Sequence, residues 1–322
     1  MRKAMELRRR LRNTEVMIFI AVVLECVAFA LLSPSFLTLS NFVNVTLQIA
    51  IYGILAVGMT IVMITGGIDL SIGSVVALVG VTAAILSKKP ALPTDLMVLL
   101  AMLAGFMMGV ATGAVSGFLI ARFTIPPFIV TLAMMTICRG VAFITTGGFT
   151  VGELPPHFGL LGRGHLWFLP IPVVVMAVLF AGGHILLTQT AFGRHIYALG
   201  GNEEASRLSG IRVRRARILV YSLNGLLAGL AGVTLAARLG AGAPNSGLGY
   251  ELDVIAAVVV GGTSLNGGCG SLLGTLAGTV FIGVLNNGLN LANVDPYTQK
   301  VALGIVILAA VWLDQLQKTS RS

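Results

Sequence analysis

Three asparagines, Asn286, Asn287 and Asn290, fall within one short, otherwise apolar stretch near the C-terminus. An amide among apolar groups forfeits its hydrogen bonds to water, so it persists there when it is paired or faces a wet passage. Facing such a passage, they are candidates for lining a pathway with neutral donors and acceptors. Bonding to neighbouring helix backbones accounts for them equally well. Charged residues inside apolar stretches are few, and Asp69, Arg139 and Glu25 stand out. Asp69 lies between glycine-rich turns and joins the asparagines as a candidate for lining a pathway, although its carboxylate also suits a cap on the following helix. Arg139 suits pairing with a carboxylate or a helix C-terminus. Glu25 suits a water-filled groove or a lipid interface.

No stretch reads as a catalytic centre. The GxxxxGK[ST] pattern that cradles nucleotide phosphates is absent, and none of the five lysines follows a glycine. His157, His165, His184 and His195 are scattered with no HExxH spacing, and there is no GxSxG, which leaves an intramembrane enzyme without a nucleophile, a base or a metal site. Cys26, Cys138 and Cys269 sit in apolar or glycine-rich surroundings without CxxC spacing, so they are read as inert. The chain is expected to bind no cofactor or metal directly and to be a non-catalytic conductor.

The elements holding these groups must live in lipid. Of 322 residues 56% are hydrophobic and 10% charged, with a mean hydropathy of +0.95, whereas a soluble domain carries roughly a quarter charged residues. The net charge of +9 clusters beside apolar runs rather than on one soluble face, which argues against nucleic acid as a partner. The reading is an all-α, polytopic transmembrane helical bundle. Windows of about 20 apolar residues place about ten spans, at 16–33, 46–65, 70–87, 96–120, 127–145, 168–188, 217–237, 251–262, 271–288 and 299–314. The window at 251–262 is too short to cross unaided; it reads as a span helped by its polar flanks or as a re-entrant half-helix. Ala28-Phe29-Ala30 is acceptable to a signal peptidase, but the stretch before it reads better as a first span.

Lys and Arg set the orientation. With the N-terminus cytoplasmic, the opposite face receives only Lys88, Lys89, Arg163, Arg238 and Lys300, and the inner segments hold the rest outside the spans, including Lys318 and Arg321. The division is a basic cytoplasmic N-terminus at 1–15, a transmembrane domain at 16–316 with a cytoplasmic loop at 189–217, and a cytoplasmic tail at 317–322.

Glycines recur one helical turn apart at Gly105, Gly109, Gly113 and Gly117, again at Gly225 and Gly229, and again at Gly270, Gly274 and Gly278. Such ridges let helix backbones approach closely, most simply within one subunit. Gly66-Gly67-Ile68-Asp69-Leu70 with Gly73-Ser74 is echoed by Gly261-Gly262-Thr263-Ser264-Leu265 with Gly270-Ser271, which is either a duplicated half or glycine used twice in tight turns.

Inside the 189–217 loop a miniature helix is fully specified. Asn202 suits the N-cap, Glu203 and Glu204 oppose the N-terminal dipole, Ala205 and Leu208 continue the turns, Arg207 faces the negative end and Gly210 suits the left-handed stop. Two turns are unstable alone in water, so this helix needs a surface to dock against. The run from Gly193 to Ile211, GRHIYALGGNEEASRLSGI, resembles the cytoplasmic loop of the ribose-type ABC sugar permeases. Ala56-Val57-Gly58-Met59-Thr60 with Gly66 to Ser71, Tyr250 to Asp253 with Gly261 to Leu265, and Leu285 to Leu291 are similar to that family as well. The resemblance covers nearly the whole chain. It implies a permease of the bacterial inner membrane that pairs with a second copy, rests on ATP-binding subunits that use ATP and Mg, and takes sugar from a periplasmic binding protein. It also implies that the 202–210 helix couples to the ATPase. Ribose leads among substrates, with other monosaccharides and autoinducer-2 open. The rival is a secondary sugar transporter driven by an ion gradient, which ordinarily needs more intramembrane carboxylates than this chain has.

Overall fold

A computed structural model describes the backbone of residues 2–89 and 93–319 and the side chains of 16–89 and 93–312. The basic side chains before Val16, and Lys318 and Arg321, which carried much of the charge asymmetry, lie outside the described side chains. Among the described residues thirteen α-helices follow one another: α1 (Arg2–Leu32), α2 (Leu39–Ile64), α3 (Ile72–Ser87), α4 (Thr94–Phe123), α5 (Pro127–Thr146), α6 (Leu160–Arg163), α7 (Ile171–Gln189), α8 (Ala191–Gly201), α9 (Glu203–Leu208), α10 (Val213–Leu239), α11 (Tyr250–Val260), α12 (Leu272–Leu291) and α13 (Pro296–Thr319). A two-residue antiparallel ribbon, β1 (His165–Leu166) with β2 (Leu169–Pro170), precedes α7.

Each of the ten apolar windows falls on a helix. Six of these helices, α2, α4, α5, α7, α10 and α12, are long and apolar enough to cross a membrane; Val16–Leu32, Ile72–Ser87 and Pro296–Trp312 are apolar but shorter. The window expected from 168 begins as a helix only at Ile171, because the ribbon occupies 165–170, Trp167 turns it with φ 63° and a proline stands in the first turn of α7. Local chemistry fixes other ends. The Thr38 hydroxyl accepts the Asn41 N–H at 3.3 Å to start α2, and Thr124, Gly147 and Gly240 stop α4, α5 and α10 in the left-handed conformation. Asp295 starts α13 by accepting the N–H groups of Tyr297 and Thr298, each at 3.0 Å, and the Thr298 hydroxyl; these bonds hold its carboxyl below the usual carboxylate range.

The core is α2, buried along most of its length, with α7, α10, α11 and α12 against it, and α10 in turn carries α3 and α4. Gly109 and Gly113 of α4 lie so close to α10 that a Cβ on Gly109 would overlap the Gly225 carbonyl and one on Gly113 the Tyr221 carbonyl. Gly117 approaches the Ile218 Cα, and Gly105 fits between Val233 and Val79. The α11 and α12 pair meets in the same way, Gly278 against the Ala257 carbonyl and Gly274 against that of Gly261. Outside this core, α1 packs on α12 and α13 on α11. Large apolar side chains such as Phe19, Leu24, Ile144, Val178 and Leu308 are exposed, which suits lipid as their neighbour.

Candidate functional site

Two helices begin in the middle of the bundle rather than at its end. After α2 stops at Ile64, residues 65–71 turn back into the core, where Asn224 donates its amide to the Asp69 carboxylate at 2.8 Å. Asn224 lies 11 residues inside α10, about 16 Å from its start. From there α3 runs outward. On the other side, the chain after α10 does not stay at that helix's end: Gly242 lies against Gly80, Val81 and Ala84 of α3, and Gly247 against Gly73 and Val76. The backbone thus descends along α3 by about two turns before α11 begins. In the short 251–262 window α11 has 11 residues and rises about 16 Å, and a turn-rich stretch at 240–249 precedes it along α3. Arg139 of α5 pins that stretch, donating to the carbonyls of Pro244 at 2.7 Å and Ser246 at 2.8 Å. Its hydrogen-bond partners are backbone oxygens, and the Glu251 carboxylate lies near enough to interact with its charge.

Asp69 is 2% exposed and accepts the Ser71 N–H at 2.9 Å and hydroxyl at 2.6 Å, besides Asn224. All its described partners belong to the chain itself. Its bonds fall on Ser71, the residue that precedes α3 and makes no side-chain cap of its own.

The three asparagines separate. Asn287 exchanges two hydrogen bonds with Asn41 of α2, at 2.9 Å and 3.1 Å, and Asn41 also donates to the Phe36 carbonyl at 2.9 Å. Asn286 turns to a different group: it and Tyr52 lie beside the half-buried Asp253 carboxylate, and the Tyr250 ring packs edge-on against Tyr52 with centroids 4.9 Å apart. Asn290 is exposed. Tyr52, Tyr250, Asp253 and Asn286 therefore form a polar cluster between α2, α11 and α12. The sequence singled out only Asn286 of these; the signal for Tyr52 and Asp253, polar groups in otherwise apolar helices, was present. Glu25 has both carboxyl oxygens buried without a partner. Among the described residues no group of His, Cys, Asp and Glu is placed to hold a metal.

The 202–210 segment folds as α9. Asn202 accepts the Ala205 N–H at 2.9 Å, Arg207 pairs with Glu204, and Gly210 has φ 84°. Glu203 pairs with Arg217 at the start of α10, while Leu208 is exposed. Just before it, α8 is a helix the sequence reading left inside the loop. Thr190 caps it by accepting the Gly193 N–H at 3.1 Å, and Ile196 and Leu199 are buried. Its end is wedged under both glycine turns. A Cβ on Gly200 would overlap the Ile64 carbonyl, the Gly268 N–H donates to that same carbonyl at 2.8 Å, and the Tyr197 hydroxyl donates to the Gly270 carbonyl at 2.8 Å. The two segments that echo each other in sequence thus touch, with Gly66 packed on Gly267 and Thr60 bonded to Thr275 at 2.8 Å. The α8–α9 loop meets the membrane core at this junction of the α2–α3 and α11–α12 turns.

A family model described as the permease component of the branched-chain amino acid transport system matches residues 41–311. The chain is 46% identical to the ribose import permease of Escherichia coli K12 over 299 residues, 92% of each chain. It is 44% identical to the ribose import permease of Bacillus subtilis, over 92% of this chain and 91% of that one. It is 36% identical to the xylose transport system permease of Escherichia coli K12, over 95% and 93%. No solved structure gives a significant match.

Proposed function

Because the chain belongs to the family of branched-chain amino acid transport permease components, we propose that this multi-pass membrane protein is the conducting subunit of an ABC importer for a monosaccharide, with ribose the first candidate. The observation that carries this reading is the identity of 46% with a ribose import permease over 92% of each chain. Xylose is the next sugar to test, since a relative named for it aligns over nearly the same length.

In this reading the protein lies in the bacterial inner membrane with ten crossings, the N-terminus and the 189–217 loop on the cytoplasmic side, and the crossing at α11 shared with the stretch before it. Two copies sit on ATP-binding subunits that use ATP and Mg, and a periplasmic binding protein delivers the sugar. The chain binds no cofactor itself. ATP binding biases the direction the cavity faces only through contacts that differ between the two states. α9 presents its exposed Leu208 to the ATPase, the Glu203–Arg217 pair ties it to α10, and Gly200 with Tyr197 presses α8 on the turns at 65–71 and 261–271. A shift of the loop therefore moves both turns at once. The Tyr52, Asp253 and Asn286 cluster is the better candidate for meeting sugar hydroxyls, because Asn287 is taken up by Asn41.

Gentle purification of this subunit from its native membrane tests the reading. A stoichiometric ATPase should accompany it, with turnover that rises on adding ribose-loaded binding protein. An ATPase indifferent to ribose redirects the sugar panel to xylose and its relatives. A preparation that transports sugar on an ion gradient with no ATPase overturns the importer reading.

A further inference from the structure

The inner end of α10 carries a cavity of about 340 Å³ that transport of a neutral sugar does not use. Arg212, Arg215 and His195 line it together with Phe192, Ile211 and Leu219, and no carboxylate does. The acidic residues of α9 are already engaged, Glu203 with Arg217 and Glu204 with Arg207. Among the described residues the Arg212 and Arg215 guanidiniums make no ion pair.

Arg212, Arg215 and Leu219 stand three and four residues apart, so they share one face. Leu226, two turns further on, continues that face. Leu219 is 56% and Leu226 37% exposed. The stripe is therefore cationic at the helix start and apolar inward from it. Two guanidiniums one turn apart offer paired donors to the oxygens of a phosphate. A free anion has no use for the apolar part, and a soluble acidic partner would leave it bare.

We propose that this cavity binds an anionic phospholipid of the cytoplasmic leaflet, its phosphate held by Arg212 and Arg215 and an acyl chain lying along Leu219 and Leu226. The lipid headgroup then lies beneath Gly210, at the end of α9, and forms part of the seat of the coupling loop. The proposal rests on the cytoplasmic placement of that loop argued above.

The test uses the purified assembly in nanodiscs containing phosphatidylglycerol and phosphatidylcholine, with retained lipid counted by native mass spectrometry. The wild type should retain phosphatidylglycerol over phosphatidylcholine. Retention should weaken about fivefold for each arginine removed in Arg215→Gln and in Arg212→Gln/Arg215→Gln. Arg163→Gln, at the other end of the bundle, should behave as wild type. Arg215→Lys keeps the charge without the planar fork and should fall between, which guards against a glutamine variant that merely misfolds. Equal retention of both lipids, or no loss in the arginine variants, overturns the proposal. So does inorganic phosphate that competes with the lipid in detergent at equal affinity, or the arginines found bound to an acidic ATPase segment with no lipid retained. Failure of the importer reading shows separately, as a preparation without ATPase, and lipid retention is then counted on the permease alone.

Discussion

The Tyr197 hydroxyl donates to the carbonyl of Gly270 at 2.8 Å, which ties α8 to the turn between α11 and α12. One bond of this kind contributes about 0.5–1.5 kcal/mol, too little to hold the fold but enough to bias two states that differ by a few kcal/mol. In the Tyr197→Phe variant the assembly should form, and ATP turnover should persist while sugar uptake falls several-fold. The ratio of ATP hydrolysed to sugar moved, measured in proteoliposomes, should therefore rise. An unchanged ratio would remove Tyr197 from the transmission route.

Where the sequence was sufficient, the cause was local. Asn202, the paired glutamates and Gly210 lie within one short segment, so the caps and stop of α9 are written by its own residues. The long apolar windows placed the helices for the same reason. The links that join elements are of another kind: Tyr197 meets Gly270 from 73 residues away, and Asn41 meets Asn287 from 246. Such partners are chosen by tertiary packing, and a single sequence shows only that a polar group needs one. The glycine ridges lay between these cases. Their spacing indicated a close helix contact but not that Gly109 would face Gly225.

Gly109→Val puts a side chain where the Gly225 carbonyl now lies. The α4–α10 contact has no flexible group there to yield, so the helices must separate, a destabilisation of about 1–3 kcal/mol. Thermal unfolding in detergent should show a lowered midpoint. Gly140→Ala is the internal control, because nothing lies within 4 Å of its Cβ position and its midpoint should not fall.

Asp69 and Asn224 distinguish charge from hydrogen bonding. The Asn224 Oδ1 has no partner, so in Asp69→Asn a rotated Asn224 amide accepts from the new NH2 group while the Ser71 bonds survive on the one remaining side-chain oxygen. Stability should change little. Asp69→Leu leaves the Ser71 N–H and the Asn224 amide without acceptors, at about 1–3 kcal/mol each. Should Asp69→Asn abolish uptake while its unfolding midpoint holds, the carboxylate acts in transport and the purely structural account fails.

The Asn41–Asn287 pair should behave as a unit. Asn287→Ala removes both exchanged bonds and strands the Asn41 carbonyl oxygen, and Asn41→Ala does the converse. The double variant strands neither, so it should be no less stable than the worse single variant, with a coupling of about 0.5–3 kcal/mol in a double-mutant cycle. Strict additivity would mean the two amides do not bond. Asn286→Ala, by contrast, should lower uptake more than stability, because it faces Asp253 and Tyr52.

The ion pair between Glu203 and Arg217 joins α9 to the start of α10. With 49% of the Glu203 and 20% of the Arg217 side chain exposed, screening limits its contribution to stability to about 1 kcal/mol or less. Its use is geometric. If it holds α9 in register with α10, Glu203→Arg should leave the permease folded but reduce the rise in ATP turnover that loaded binding protein brings. Adding Arg217→Glu should restore that rise by re-forming the pair in reverse. Restoration would identify a contact within this chain. If the double variant stays as impaired as the single one, Glu203 is instead read by the ATPase, and the register of α9 is set by Asn202 and the partner's groove.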